Sequence, residues 1–348
     1  MKELRIGNKV AKVPIIQGGM GVGISRGKLA GAVAKEGGIG IISTAQIGYD
    51  KPDFDKNQEA CNEEAIREHI AMAKEISNGG LVGVNVMVAL KYYREHVKTA
   101  VEAGADVVIC GAGLPMDLPE LVKGSDTKIA PVVSSARCAS LLLKRWQKKY
   151  DYIADFIVIE GPKAGGHLGF SKEEVTQEID FDAEIKEIIR VVREHGEKYN
   201  QDIPVVVAGG VYDHEDIEHV FALGADGVQI ASRFVATYEC DASDAYKQAY
   251  LNAKEEDVKI IQSPVGMPGR ALYNQFLKDV EKGLVSVKKC YQCLAKCDPA
   301  NIPYCITKAL VDAVKGDVDN GLIFCGANVG RIDKIVSVHD LIQELVQG

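Results

Sequence analysis

The chain has 348 residues, enough for two average domains or for one large α/β barrel with an extension. Its net charge of −8 argues against a binding surface for nucleic acid or for an anionic membrane. The first residues lack the apolar core of a secretory signal, and no apolar run approaches the roughly 20 residues that span a bilayer. The nine cysteines are odd in number and scattered. We therefore expect a cytoplasmic protein with reduced thiols and with neither nucleic acid nor a membrane as partner.

Short apolar runs rich in β-branched residues recur along the first two-thirds of the chain. Each run is nearly continuous rather than alternating, which is typical of parallel strands covered on both faces. The eight runs are residues 13–16, 39–42, 81–86, 106–110, 129–133, 156–159, 204–208 and 227–230.

Segments with helical spacing lie between these runs and end at glycines suited to a helix C-cap, such as Gly37 and Gly224. The alternation predicts an α/β fold, a (β/α)8 or TIM barrel, with an open doubly wound sheet as the alternative. We expect residues 1–235 to form the barrel and residues 236–348 to form a C-terminal helical extension that packs on it as a lid.

The segment 155–170 places a histidine, His167, in a glycine-rich turn that directly follows the sixth apolar run. Ligands bind at the carboxyl ends of parallel strands, and glycines let the backbone approach them closely. The ordinary histidine pKa of about 6.5 suits proton exchange near neutrality. His167 is therefore the candidate acid/base residue. The alternative is a glycine loop at a helix start with a solvated histidine.

Glycines and polar residues follow the seventh and eighth runs. Gly209 and Gly210 come after the seventh, and Gln229, Ser232 and Arg233 belong to or follow the eighth. In a barrel these two loops commonly bind phosphate through backbone amides, and Arg233 offers a possible charge. The alternative is that the glycines only make a turn.

Five motifs occur in the order of the strands and resemble the nitronate monooxygenase (2-nitropropane dioxygenase) family, which also includes the FMN-dependent enoyl-ACP reductase. They are VPIIQGGMG (13–21), GVNVMV (83–88), EGPKAGGHLG (160–169), IPVVVAGGV (203–211) and GADGVQIASRF (224–234). The similarity continues in part through DVDNGLIFCGANVG (317–330).

The resemblance implies an FMN site at the mouth of the barrel. By it, Gly18, Gly19 and Met20 line the isoalloxazine ring, and the Asn85 amide reaches the pyrimidine edge of that ring. The residues implied to hold the ribityl phosphate end are Gly166, Gly209, Gly210, Gln229 and Ser232. Met20 as a core methionine and Asn85 as a strand-end turn residue are the alternatives.

The family resemblance also implies the reaction and its partners. A nitronate monooxygenase-like enzyme oxidises alkyl nitronates to a carbonyl compound and nitrite, with His167 either orienting the nitro group or removing the α-proton of a nitroalkane. The alternative is an enoyl-ACP reductase that uses NAD(P)H, and the second alternative is a non-catalytic flavin- or phosphate-binding barrel. The substrate is a small molecule, and a homodimer is left open.

Relatives commonly have an acidic residue where Lys163 stands, so Lys163 either attracts an anion or is solvated.

Four cysteines, Cys290, Cys293, Cys297 and Cys305, lie close together near the C-terminus. The Cys-x2-Cys spacing suits two ligands of one metal, and four thiolates would hold zinc or an iron–sulfur cluster. Buried or redox-active thiols are the alternative.

Overall fold

The computed structural model describes residues 1–177 and 180–348, and its central feature is a closed barrel of eight parallel strands. The strands in chain order are β1 (Leu4–Ile6), β2 (Lys9–Ala11), β3 (Ile15–Gln17), β4 (Ile39–Ser43), β5 (Leu81–Met87), β6 (Val107–Gly111), β7 (Lys128–Val133), β8 (Ile157–Glu160), β9 (Gly166–His167), β10 (Val205–Ala208), β11 (Gly227–Ile230), β12 (Val258–Gln262) and β13 (Pro268–Leu272).

The barrel runs from β3 to β8 in chain order, continues through β10 and β11, and closes where β11 pairs with β3. Each of its eight strands overlaps one of the predicted apolar runs, so the (β/α)8 prediction is confirmed. The open doubly wound sheet is wrong, because the parallel pairing of Val228 with Ile15 leaves no free edge in the barrel.

Helices cover the outside of the barrel and form much of the C-terminal segment. They are α1 (Gly27–Lys35), α2 (Gln58–Ser77), α3 (Tyr93–Glu102), α4 (Leu118–Leu121), α5 (Ala136–Tyr150), α6 (Lys172–Thr176), α7 (Phe181–Tyr199), α8 (His214–Ala222), α9 (Ser232–Val235), α10 (Asp244–Asn252), α11 (Gln275–Glu281), α12 (Ile306–Lys315) and α13 (Val338–Gln347). None of the described helices is both long enough and apolar enough to cross a membrane.

Local sequence explains where the barrel helices begin and end. The Asp213 carboxylate accepts a hydrogen bond from Asp216 N, which caps the start of α8, and Ile217 and Val220 turn its apolar side inward. Gly224 follows α8 with a φ of +104°, a conformation that favours glycine after a helix C-terminus.

The core has two layers, one inside the barrel and one between the barrel and its helices. Ile41, Ile109 and Val158 lie in the inner layer, whereas Ile42, Val84 and Ile159 belong to the outer one. Alternate residues of a strand point to opposite faces, so strands buried on both faces must be apolar throughout. At Gly40 a Cβ would lie 1.8 Å from the Ala30 carbonyl oxygen, so only glycine lets α1 pack this closely on β4.

The C-terminal segment contains a β-ribbon as well as helices, which differs from the expected helical extension. Strands β12 and β13 pair antiparallel, and β13 also pairs with β9, so that Gly269 lies opposite His167. Pro268 and Gly269 weaken the strand pattern of β13 in the sequence, which explains why it was not predicted. The ribbon attaches the extension directly to the loop that carries His167.

Candidate functional site

A cavity of about 370 Å³ lies at the carboxyl ends of the barrel strands. This volume is within the range of small-molecule sites, roughly 300 to 1,000 Å³. The barrel part of its wall comprises Gly19, Met20, Gly21, Ile24, Ser43, Ala45, Asn85, Met87, Gly111, Ala112, Gly113, Leu114, Val132, Val133, Ser134, Cys138, Glu160, Gly165, Gly166, His167, Gly169, Gln229, Ala231 and Ser232. The C-terminal segment completes the wall with Tyr250, Met267, Leu310, Phe324, Cys325 and Gly326.

The cavity brings together seven of the residues predicted from the sequence and leaves out three. Those in its wall are Gly19, Met20, Asn85, Gly166, His167, Gln229 and Ser232. Gly18, Gly209 and Gly210 do not line it, and each packs against neighbouring protein. A Cβ would lie 3.3 Å from the Gln229 side chain at Gly18, 2.8 Å from the Gly161 carbonyl oxygen at Gly209, and 3.1 Å from the Lys163 side chain at Gly210. These three glycines shape the loops behind the wall.

His167 is held between the C-terminal segment and the cavity. Its Nε2 lies 2.7 Å from the Ser263 hydroxyl, and its ring meets the edge of Phe324 with the two centroids 4.9 Å apart. Burial lowers the pKa of His167 to about 4, because charging the ring would require desolvating a cation. The imidazole is therefore neutral at neutral pH and able to accept a proton. This pKa differs from the near-neutral value expected for a free histidine.

Arg270, which sequence reasoning missed, fixes the shape of the loop before His167. Arg270 is 7% exposed, and its guanidinium donates hydrogen bonds to the carbonyl oxygens of Pro162 and Ala164. Both carbonyls belong to the turn between β8 and β9. Because Arg270 lies in β13, only the ribbon pairing brings it to this loop.

Glu160, also missed, is the last residue of β8 and lines the same cavity. Burial raises the pKa of its carboxyl group to about 7, an effect partly offset by a hydrogen bond from the Gly169 N–H. A sequence signal existed for this residue. A carboxyl group that directly ends an apolar strand points to the mouth of a barrel.

One end of the cavity is built from bare backbone and a hydroxyl. Gly166 has a φ of +74°, and a Cβ placed on it would meet nothing within 4 Å, so its Cα faces open space. The Ser232 hydroxyl accepts a hydrogen bond from Gly326 N at 2.9 Å, which joins the end of β11 to the C-terminal segment. Such a surface suits a polar group that needs close backbone approach.

The two cationic side chains suggested for this end do not line the cavity. Arg233 is buried and donates to the Tyr212 carbonyl oxygen at 2.8 Å and to Glu344 at 2.7 Å. Lys163 is exposed to solvent, in agreement with the solvated alternative. The positive charge of Arg233 is therefore paired with Glu344 inside the fold, and this ion pair links the end of the barrel to α13.

The four clustered cysteines are not arranged as a metal site. Within residues 1–177 and 180–348, no three His, Cys, Asp or Glu side chains are grouped so that they could hold a metal ion. Cys290 is exposed, and Cys305 directly precedes α12. Burial raises the pKa of the Cys293 thiol to about 11, so that it stays protonated, whereas a metal requires the thiolate. Zinc or an iron–sulfur cluster here stays a prediction that elemental analysis of anaerobically prepared protein would test.

Comparisons with known proteins agree with the fold and with the order of the motifs. The chain is 23% identical to the probable nitronate monooxygenase of Bacillus subtilis, over 96% of this chain and 95% of that protein. It is also 23% identical to an octahydroindene-carboxyl-CoA dehydrogenase of Rhodococcus jostii, over 96% of this chain and 91% of the relative.

Solved structures give the same result. FabK from Thermotoga maritima matches with a TM-score of 0.72 and 26% identity, over 96% of this chain and 92% of that one. Nitroalkane oxidase from Streptomyces ansochromogenes also matches with a TM-score of 0.72, over 96% of this chain and 94% of that one, and at 20% identity this shows the fold alone. The family model described as nitronate monooxygenase matches residues 2–348. The chain therefore belongs to the nitronate monooxygenase family.

Proposed function

We propose that this protein is a cytoplasmic, FMN-dependent oxidoreductase that converts nitroalkanes or their nitronates to a carbonyl compound and nitrite. The observation that carries the proposal is a neutral His167 in the wall of a cavity of about 370 Å³. No other histidine lies among the described residues of that wall. A proton acceptor in the wall of a largely apolar pocket is what removal of a proton next to a nitro group requires.

The residues of the cavity fit FMN at both of its polar ends. Gly166 leaves open space where a side chain would stand, and Ser232 offers a hydroxyl in the same cavity wall, which suits the phosphate. At Gly19 a Cβ would lie 2.4 Å from the Asn85 Cβ, so glycine is needed for the strand ends to meet. Within the described chain the Asn85 amide makes no side-chain hydrogen bond, so it is available to the pyrimidine edge of the ring. FMN, when bound, supplies the redox chemistry.

The protein's own part in the reaction is to hold the substrate and to move a proton. His167 takes the α-proton of a nitroalkane, or donates a hydrogen bond to a nitronate, while Ser263 holds its Nε2. Met20, Leu310 and Phe324 give the wall apolar surface that excludes water from the reacting atoms.

An enoyl-ACP reductase that uses NAD(P)H is the second candidate. The similarity to FabK from Thermotoga maritima, at 26% identity over 96% of this chain, favours it. The same histidine would then donate a proton or polarise a thioester carbonyl. A flavin-binding barrel without turnover is the third candidate, and it gives no role to a neutral histidine in the cavity wall.

Anaerobic mixing of the FMN-loaded protein separates the three candidates. Bleaching of the flavin by 2-nitropropane or its nitronate, followed by nitrite release when oxygen is admitted, supports the proposed function. Rapid bleaching by NADPH instead would support the reductase, and no bleaching by either would support the binding protein. Purified protein that is colourless and ignores added FMN would remove the proposal altogether.

A further inference from the structure

One leucine of the cavity wall is exposed to solvent. Leu114 lies in the loop after β6, lines the cavity and is 37% exposed. Single exposed apolar side chains are ordinary on a protein surface, but a ligand in the cavity can cover this one. The other large apolar side chains that are exposed within residues 1–177 and 180–348 do not line the cavity, and they are Met1, Met72, Leu141, Tyr238 and Leu284.

The backbone on both sides of Leu114 is held in place. Ala112 has a φ of +51°, a left-handed conformation that residues with a side chain rarely adopt, and Gly113 follows with a φ of +132°. Beyond Leu114, the buried Trp146 donates a hydrogen bond from its Nε1 to the Pro115 carbonyl oxygen at 2.9 Å. The loop therefore presents the Leu114 side chain at the cavity instead of burying it in the core.

This loop is not part of the wall that is proposed to bind FMN. The wall residues assigned to FMN belong to or follow β3, β5, β9 and β11, and none of them lies on the loop after β6. In the ring of eight strands, β6 and β11 are four steps apart in either direction. Leu114 therefore lies across the barrel mouth from Gln229 and Ser232, which belong to the proposed phosphate end.

The two strands that flank β6 add apolar side chains to the same cavity. Met87 ends β5, Val133 ends β7, and both line the cavity. A hydrocarbon chain that covers such side chains removes its own methylenes and theirs from water. The wall on this side of the mouth therefore suits an alkyl chain.

We propose that Leu114 binds the apolar tail of the substrate, so that the protein favours compounds with a polar head and an unbranched alkyl chain over the smallest nitroalkanes. The identity of the head as a nitro or nitronate group beside His167 rests on the proposed function. The binding of the alkyl chain rests only on the loop after β6 and on its neighbours in the wall.

The size of the effect follows from apolar burial. Full burial of one methylene group strengthens binding by about fourfold, and half burial by about twofold. Within a series of ligands with one head group, the affinity should therefore rise by about two- to fourfold for each added methylene while the chain still covers Leu114. A serine in place of Leu114 removes this apolar surface and should reduce the gain.

The test uses the FMN-loaded wild-type protein, Leu114→Ser and a control, Leu141→Ser. Leu141 is 47% exposed on α5 and lies outside the cavity, so its substitution makes the same chemical change elsewhere on the surface. Binding of butanamide, hexanamide and octanamide, which share one uncharged head, is measured by calorimetry. We expect a gain of about two- to fourfold per methylene in the wild type and in Leu141→Ser, and of less than about 1.5-fold in Leu114→Ser.

Two further measurements complete the test. With both substrates supplied as nitronates, kcat/KM for 1-nitrohexane relative to nitroethane should fall in Leu114→Ser, and the affinity for FMN, from fluorescence titration, should equal that of the wild type. Equal gains per methylene in Leu114→Ser and the wild type, or no gain in the wild type, would overturn the proposal. Weaker FMN binding by Leu114→Ser would also overturn it, because Leu114 would then belong to the cofactor site.

The amides separate this proposal from the proposed function, because their binding does not depend on turnover. Absence of nitrite from all three proteins, together with the expected gains for the amides, would reject the nitro compound as substrate and support the alkyl-binding role of Leu114.

Discussion

His167 combines two properties that its proposed role as proton acceptor requires, a fixed orientation and a neutral ring. The hydrogen bond to Ser263 and the edge contact with Phe324 set the orientation, and burial lowers the pKa to about 4. A low pKa makes the ring a weaker base, but it also keeps the whole population unprotonated above about pH 5.

Replacement of His167 should abolish most turnover and leave the binding of FMN unchanged. We expect His167→Gln to bind FMN normally and to lose about 10² to 10⁴ in kcat with 2-nitropropane, the usual contribution of a positioned acid or base. His219→Gln is the control, because His219 is exposed and pairs with Asp182 on the surface. In the wild type, the activity that depends on His167 should decline only as the pH falls through about 4, where the ring becomes protonated. Undiminished activity of His167→Gln would contradict the assigned role.

Gly166 provides a second residue-scale prediction. A side chain at this position would stand in the open space of the cavity and would be strained at a φ of +74°. Gly283 has a similar φ of +69° and equally open surroundings but does not line the cavity. Gly166→Ala should therefore weaken FMN binding by about tenfold or more, whereas Gly283→Ala should carry the same backbone strain of roughly 1–2 kcal/mol without affecting FMN. Flavin fluorescence titration measures both, and equal affinities would refute the placement of FMN beside Gly166.

At the scale of elements, the β12–β13 ribbon connects the C-terminal segment to the loop that carries His167. The pairing of β13 with β9 places Arg270 opposite Gly166, from where its guanidinium reaches the turn after β8. The loop that carries His167 is thus held in place by a strand that lies much later in the chain. Arg270 and Pro162 are separated by 108 residues in the sequence.

Arg270→Met should loosen that loop. The substitution leaves the Pro162 and Ala164 carbonyls without their donor, which typically costs about 2–4 kcal/mol for buried groups. We expect a lower melting temperature and a larger loss of FMN content and kcat than in Lys259→Met. Lys259 lies on the same ribbon but is exposed. Equal behaviour of the two variants would show that the guanidinium does not hold the loop.

At the scale of the whole molecule, part of the C-terminal segment shares the outer core of the barrel. Leu341 and Leu345 of α13 belong to the same buried cluster as Leu29 of α1 and Ile217 of α8. The Arg233–Glu344 ion pair, at 2.7 Å, also joins α13 to the end of the barrel. Another part of the segment, which includes Phe276, Leu294 and Tyr304, forms a buried cluster of its own.

The fold also buries a histidine that does not itself line the cavity. His96 of α3 is 2% exposed, its Nδ1 lies 3.2 Å from the Thr44 hydroxyl, and burial lowers its pKa to about 4. The unfolded chain binds this proton near pH 6.5, so the stabilising difference is fully present above that pH and is lost as the pH falls towards 4.

Comparison of the wild type with His96→Gln should show how much of the pH dependence of folding stability comes from His96. Between pH 7 and pH 4 the free energy of unfolding of the wild type should fall by about 2–3 kcal/mol relative to the variant, whatever their difference at pH 7. Urea unfolding at several pH values measures the two curves. Parallel curves would mean that His96 is not buried in its neutral form.

The amino-acid sequence by itself determined the barrel and seven residues of the wall of its cavity. Eight continuous apolar runs were sufficient to predict the barrel strands, because a strand that is buried on both faces is apolar at every position. Ser232 was found because it follows the eighth run, and in a parallel barrel that position in the sequence already gives the position in space. Gly19, Asn85 and Gly166 were found through the resemblance of their motifs to the nitronate monooxygenase family.

Only the tertiary structure decided what surrounds His167 and which charges reach the cavity. Ser263, Arg270 and Phe324 come from a segment whose pairing with β9 spans about 100 residues, and no local pattern records such a contact. The turning of Arg233 towards Glu344, and the shift of the Glu160 pKa to about 7, likewise depend on side-chain packing and burial. Hydrophobic periodicity is a property of neighbouring residues, whereas desolvation and ion pairing are properties of residues brought together by the fold.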